Sequence, residues 1–328
     1  VIHLPLSEAH AGQRLDKVLV TVLAQHAATS PLGRSGAKRL FDEGRVRLQR
    51  AGSERSSLAR KGDVAAAGDQ LVLDLPEMPA GADELAADPS VSFEVRLERA
   101  DLLVVDKPAG VPTAPLRPGE VGTLANGLVA RFPELAALFA EGRTRREAGL
   151  VNRLDTGTSG LLVVARTPEA LEALTRALRD DAFDKRYLLL CSAADLPESG
   201  SVELPLAPHP KDQKRMLACA HDRDVVRYQP RPARTDYRVV RVAGDIAVVE
   251  ARARRALRHQ IRAHFAAIGH PLLGDALYGG DALSGVSAER HALHASEIGL
   301  DVSSAAKGAV RGFHVTSPLP DELARLVP

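Results

Sequence analysis

The 328-residue chain has no tryptophan, only two cysteines and two methionines, and no long unbroken apolar run. Each absence excludes something. A membrane span needs roughly 18 or more consecutive apolar residues, and none occurs. The opening Val1 to Leu6 is too short for a signal peptide and lacks its basic flank, so a cytosolic protein with no membrane partner is expected. Cys191 and Cys219 stand 28 positions apart without a CxxC spacing, which gives neither a disulfide framework nor a zinc site; buried, inert thiols are expected. GxxxxGK[ST], HExxH and GxSxG are missing, as is a glycine-rich turn leading from strand to helix, so ATP, zinc and dinucleotides find no support. His259 and His264 fall about 140° apart around a helix and cannot face one metal. His291 and His294 share a face but lack a third ligand, which points to packing. No cofactor and no metal is therefore expected.

Charge of one sign is also lacking overall, with a net +1, but its distribution is uneven. From Arg34 to Lys61 there are nine basic residues against three acids, and from Glu77 to Asp101 seven acids against two arginines. A second basic run, RARRALRHQIR from Arg252 to Arg262, holds five arginines and no acid. No segment joins a long basic amphipathic pattern to aromatic anchors, so the clusters fit a polyanion better than a membrane surface.

The hydrophobic spacing gives the order of elements. Leu15, Val18, Leu19 and Val22 line one face of a helix, and SGAKRLFDEG reads as a second, capped by Ser35 and stopped by Gly44. RVRLQ and GDQLVLDLP read as strands joined by a basic loop. Residues 1–75 thus form a small domain, and the Pro-, Ala- and acid-rich stretch over 76–95 reads as a linker. In the remaining 96–328, LLVV at Leu102, GLLVVA at Gly160, RYLLLC and DIAVVEA read as strands. GLLVVA, uninterrupted, is expected to be covered on both faces. Thr167 and Pro168 open a helix with Leu171, Leu174 and Leu178 on its stripe. HQIRAHFAAIG reads as a helix with Ile261, Phe265 and Ile268 on one side, ended by Gly269. Strands cluster with few intervening helices, which predicts an α+β domain with a mixed, mainly antiparallel sheet.

VNRLDTGTSGLLVVAR, residues 151–166, contains an Asp-Thr-Gly triplet of the kind aspartic proteases carry. That chemistry needs two carboxylates sharing a proton. The triplet occurs once, midway along the chain, with Arg153 two positions upstream, so the protease reading fails.

The same segment resembles the central motif of the RluA family of RNA pseudouridine synthases, an Arg-Leu-Asp turn before Thr-Ser-Gly-Leu-Leu. DLLVVDKPAGV, GTLANGL, KRYLLL, ARTDYRVV, HQIRAHFAAIGHPLLGDALYG and HALHA match in the family's order. Ahead of them, RLDKVL, GRSGAKRLFDEGRVRL and KGDVAAAGDQLVL resemble an S4 RNA-binding module. The resemblance implies an isomerase that breaks the glycosidic bond of a uridine and remakes it at carbon 5, without cofactor. It implies Asp155 as the catalytic aspartate, Arg262 as its basic partner, Tyr187 as the aromatic against the uracil, and Arg153 as the side chain that fills the gap left by the extruded base. Arg34, Lys38, Arg39, Arg45 and Arg47 of the small domain are expected to contact RNA phosphates. The expected partner is ribosomal RNA of the large subunit rather than transfer RNA, and a monomer is expected. The chain departs from the family at Asn152, where a histidine is usual, and over Arg254–Arg258, which lacks Thr-Gly-Arg-Thr. Those departures motivate one alternative, a non-catalytic RNA-binding or ribosome-assembly factor derived from a synthase.

Overall fold

The computed structural model describes residues 1–25, 33–75, 84–139, 145–253, 256–283, 290–301 and 310–327. The chain separates into two compact units, Val1–Asp83 with Glu141–Arg145, and Glu84–Ala140 with Arg146–Pro328.

The smaller unit runs β1 (Ile2–Pro5), α1 (Leu15–Gln25), α2 (Gly33–Asp42), β2 (Val46–Gln49), β3 (Ser56–Leu58) and β4 (Gln70–Leu73). Its strands form an antiparallel sheet in the order β1-β4-β2-β3. Leu15, Val18, Leu19 and Val22 are all buried, as their spacing requires, against Leu40, Val46, Leu71 and Leu73. Two local readings need correction. The second helix begins at Gly33, so Ser35 lies inside it and does not cap it. The supposed basic loop contains β3, whose residues are mostly exposed and show no apolar alternation. Ile2–Pro5 also joins the sheet, pairing antiparallel with β4.

The larger unit continues with β5 (Glu94–Glu98), β6 (Leu102–Lys107), α3 (Leu124–Arg131), β7 (Ser159–Ala165), α4 (Pro168–Arg179), β8 (Phe183–Ser192), β9 (Ser199–Val202), β10 (Leu206–Pro208) and β11 (Met216–Ala218). Then follow α5 (Asp222–Tyr228), β12 (Thr235–Ala243), β13 (Ile246–Arg252), α6 (Gln260–Ala267), β14 (Leu293–Leu300), β15 (Phe313–Thr316) and α7 (Asp321–Ala324). Nine strands make one sheet in the order β5-β6-β7-β14-β8-β13-β12-β9, with β15 on β14. Among the described residues β7 and β14 are its one parallel pair. The fold is α+β with a mixed, mainly antiparallel sheet, as the pattern predicts. Every residue of β7 is buried, and Thr167 caps α4 by accepting from the Ala170 amide.

Of the linker expected over 76–95, residues 76–83 lie outside the described residues, and the rest packs onto the larger unit. Leu85 enters its core, the Ala86 carbonyl accepts from Asn126, and Asp88 accepts from the Gly122 amide. Composition alone misread this stretch because a single leucine and backbone groups make the attachment.

Two of the larger unit's apolar clusters meet near the Asp155 turn. One joins β6 and β7 to α3 and α4, and the other joins β8 and β13 to α6. Leu154 packs against both, which sets the turn after it at their seam.

Candidate active site

Asp155 opens a tight turn closed by the Thr158 amide on its own carbonyl, 3.0 Å. The following chain enters β7, where Gly160 has φ +115° and an added Cβ would lie 2.3 Å from the Ala295 carbonyl oxygen of β14. Only glycine suits that approach, so the turn is pinned where the parallel pair begins.

Buried polar groups hold the turn's backbone. Thr113 accepts from the Leu154 amide at 3.1 Å and donates to its carbonyl at 2.7 Å. The ammonium of Lys107, at the end of β6, donates to the carbonyls of Pro108, Val111 and Thr156 at 2.9, 2.7 and 3.1 Å. These are three acceptors for three N–H bonds. Burial pushes Lys107 down to about 7, and Arg290 adds to this while Asp155 and Asp106 oppose it. Arg290 donates to the carbonyls of Gly157, His291 and Leu293 and to the Ser159 hydroxyl. His291 meets the Thr158 hydroxyl at 2.7 Å, and His294 meets Ser159 and Ser317, so both imidazoles are packing groups.

Against this turn lies the first turn of α6. Arg262 is 6% exposed; its Nη1 donates to Asp155 Oδ2 at 2.9 Å while Nε and Nη2 form a fork on Asp275 at 2.7 and 2.8 Å. Burial alone would lower the Arg262 pKa, but the bonds to Asp275 and the field of Asp155 outweigh it and raise it, so the guanidinium stays charged. Asp155 Oδ1 has no hydrogen bond among the described residues, so one carboxylate oxygen is anchored and the other is open. The expected stripe on α6 is only part of the picture. Gln260 through Phe265 are all buried, the polar ones because partners meet them: Gln260 donates to Arg234 and Thr235, and His264 bridges Thr235 and the Leu204 carbonyl.

Tyr187 sits in mid-sheet on β8, with Ala251 and Ala295 as its cross-strand neighbours. The two alanines leave room for a ring on that face. Burial, and then the field of Asp155, raise its pKa, so its hydroxyl remains neutral. Arg153 is exposed two residues before Asp155. Asn152 Oδ1 accepts from the Val163 amide, so this departure from the family pattern serves β7. Arg254 and Arg255 lie outside the described residues; Arg258 donates to the carbonyls of Gln213 and Lys214.

The five basic residues expected to meet phosphates differ in freedom. Lys38 is exposed, Arg39 and Arg45 both reach Glu43, Arg45 also reaches Asp74, and Arg47 is bonded to Ser56 across β2 and β3. The Arg34 side chain lies outside the described residues.

Residues 101–267 match the family model for RNA pseudouridylate synthase. The chain belongs to that family. An RNA pseudouridine synthase of Synechocystis, itself uncharacterised, is 30% identical over 90% of this chain and 83% of its own. The ribosomal large subunit pseudouridine synthase D of Xanthomonas campestris is 34% identical over 74% of this chain and 70% of its own, and that of Nitrosomonas europaea 33% identical over 73% and 65%. The solved human RNA pseudouridylate synthase domain containing 1 shares the fold, with TM-score 0.51 and 24% identity over 70% of this chain and 84% of its own. The protein is thus an RNA pseudouridine synthase of the RluA type, an intramolecular isomerase acting on RNA. No helix among the described residues is long and apolar enough to cross a membrane.

Sequence reading had assigned no role to Lys107, Thr113, Asp275, Tyr278 or Arg290. The signal of Lys107 was present in DKPAG and that of Asp275 and Tyr278 in GDALYG, as polar residues inside otherwise apolar or glycine-rich text, whereas Thr113 and Arg290 stand in neither stretch and meet partners 41 and 133 positions away.

Proposed function

We propose that Asp155 is the catalytic aspartate, with Oδ1 as its reacting atom, and that the target is a uridine of large-subunit ribosomal RNA. The single observation that carries the first statement is the division of labour at the carboxylate: Arg262 holds Oδ2 at 2.9 Å and Asp275 holds Arg262, so Oδ1 is oriented and free. The isomerisation breaks the bond from C1′ to N1, turns the uracil, and joins C1′ to C5. C5 loses its proton and N1 gains one, so the formula is unchanged and no cofactor is consumed. Tyr187 supplies a face for the base, and exposed Arg153 fills the gap the base leaves on extrusion.

The ribosomal target rests on the names of the Nitrosomonas and Xanthomonas relatives and is a family-level inference. The smaller unit, with two helices and a four-stranded antiparallel sheet, acts as an S4-like RNA anchor through Lys38 and its basic neighbours. The protein works in the cytosol as a monomer. Nothing among the described residues of the site favours the non-catalytic alternative, since Asn152 is spent on β7 and the Asp155 to Arg262 pair is intact.

The test is to map pseudouridines in total RNA from cells lacking the gene and from the same cells complemented with wild type or Asp155→Asn. A site in large-subunit ribosomal RNA that only wild type restores is expected. Restoration by Asp155→Asn overturns the catalytic assignment; a site in transfer RNA overturns the target.

A further inference from the structure

His259 precedes α6 with φ 53° and ψ 18°, the left-handed region. A non-glycine residue there points to a local constraint. Its ring lies edge-on to Tyr278, with centroids 5.8 Å apart and planes at 76°. Nδ1 is 3.1 Å from the Tyr278 hydroxyl, and Nε2 is 3.7 Å from Asp155 Oδ2, the oxygen that Arg262 also holds. Tyr278 is fixed in turn: its oxygen accepts from the Met216 amide at 2.8 Å, and the guanidinium groups of Arg262 and Arg215 lie over its ring at 5.2 and 5.3 Å.

The hydrogen-bond directions follow from this chain. With the Tyr278 oxygen accepting from Met216, its own proton is available for Nδ1, which leaves the imidazole proton on Nε2, facing Asp155. The other tautomer would set a nitrogen lone pair against a carboxylate oxygen. Burial, only partly opposed by Asp155, keeps the ring neutral, with its pKa lowered to about 4. A separation of 3.7 Å is long for a hydrogen bond, but such contacts often shorten when substrate closes a site.

We propose that His259 is a positioning residue for Asp155: its Nε2–H steadies Oδ2, Tyr278 fixes the tautomer, and Oδ1 is thereby kept aimed at the ribose of the target uridine. The strand that follows the exposed basic turn of Lys211 and Lys214 supplies the Met216 amide, so the seating of that turn is linked to the carboxylate through two side chains.

The proposal rests on Asp155 being the catalytic aspartate, and the test separates the two. Wild type, Asp155→Asn, His259→Gln, His259→Asn and Tyr278→Phe are compared for tritium release from total RNA labelled at uracil C5, under single-turnover and steady-state conditions. The glutamine amide can occupy the place of Nε2 and donate to Asp155, whereas asparagine reaches only the place of Nδ1. Asparagine tolerates the left-handed conformation better than glutamine does, so backbone strain predicts the opposite ranking of stability. The expected result is that His259→Asn melts no lower than wild type, keeps its KM and loses about tenfold or more in kcat, as befits a lost N–H contact to a charged group that tightens with substrate bound. His259→Gln, although less stable, retains a rate within about threefold of wild type. Tyr278→Phe keeps the ring and loses rate by less than His259→Asn. Equal rates for the glutamine and asparagine variants, or a change confined to KM, overturn the proposal. An active Asp155→Asn overturns the reading beneath it.

Discussion

In the smaller unit leucine, valine and alanine fill the core, and among the described residues Asp69 is its one buried polar side chain, tied to two backbone amides and Arg50. The larger unit buries Lys107, Arg262, Asp275, Arg290 and two partnered histidines, His291 and His294, around a single turn. The first core follows the apolar pattern of its helices and strands, and its charges stay in solvent. The second contains groups that are costly to bury unless each is paired, and here they are paired with one another, with hydroxyls, or with carbonyls of the Asp155 turn and the chain beside it. That contrast supports the proposal for Asp155: stability alone does not call for such a network, whereas holding one carboxylate oxygen and freeing the other does.

The sharpest way to break the comparison is to remove one cation from each unit. Arg262→Met strands Asp275 and Asp155 and is expected to cost about 3 to 5 kcal/mol and to abolish turnover. Arg14→Met, which breaks an exposed pair with Asp16, should leave the melting temperature unchanged. Calorimetry of both variants checks this, and equal shifts would erase the distinction.

The response to acid tests the same contrast without a substitution. His259, His291 and His294 are lowered to about 4, about 2 and about 4, chiefly by burial, and His264 is lowered as well. Their folded values lie below the unfolded one, so the unfolded chain binds more protons as pH falls below about 6.5. Stability therefore drops from about pH 6.5 toward pH 4, by up to about 1.4 kcal/mol per pH unit for each such imidazole. The smaller unit has no buried histidine among its described residues. Denaturant unfolding at pH 7 and 5 should show the larger unit weakened and the smaller one unaffected; a parallel loss in both would contradict this.

Tyr187→Leu is expected to lower turnover more than RNA affinity, because the ring's partner is the base and other contacts keep the RNA. Equal losses in both would make Tyr187 only a core residue. The smallest effect on chemistry should come from removing residues 1–83. Each lost phosphate contact should reduce the slope of log K against log salt by about 0.7 to 0.9, while a short RNA carrying the target is still modified at saturation. An unchanged slope would mean that Lys38 and its neighbours form only a solvated face. The cut belongs before Glu84, since Leu85 and Asp88 are part of the larger unit.

Much of this was legible in the chain. The i, i+3, i+4, i+7 spacing from Leu15 gave α1, the uninterrupted GLLVVA gave a doubly covered strand, and motif order paired Asp155 with Arg262 across 107 positions. Strand β3 escaped because SSL shows no apolar alternation, and β1 because its alternation, Ile2 and Leu4 inward, runs over only four residues. Asp275 and Lys107 escaped for another reason. A polar residue carries no mark of burial in the sequence, and Asp275's partner Arg262, 13 positions away, and Lys107's third acceptor Thr156, 49 away, meet them only once the sheet and α6 have assembled. The tautomer of His259 was further out of reach, since it depends on a tyrosine fixed by a backbone amide of β11.

The central claim is that the network exists to present Asp155 Oδ1 to the ribose. Its most direct test is single-turnover tritium release from C5-labelled RNA by Asp155→Asn, with RNA affinity and melting temperature measured on the same protein. The account predicts no release, affinity within a few-fold of wild type and an intact fold; release at the wild-type rate would contradict it.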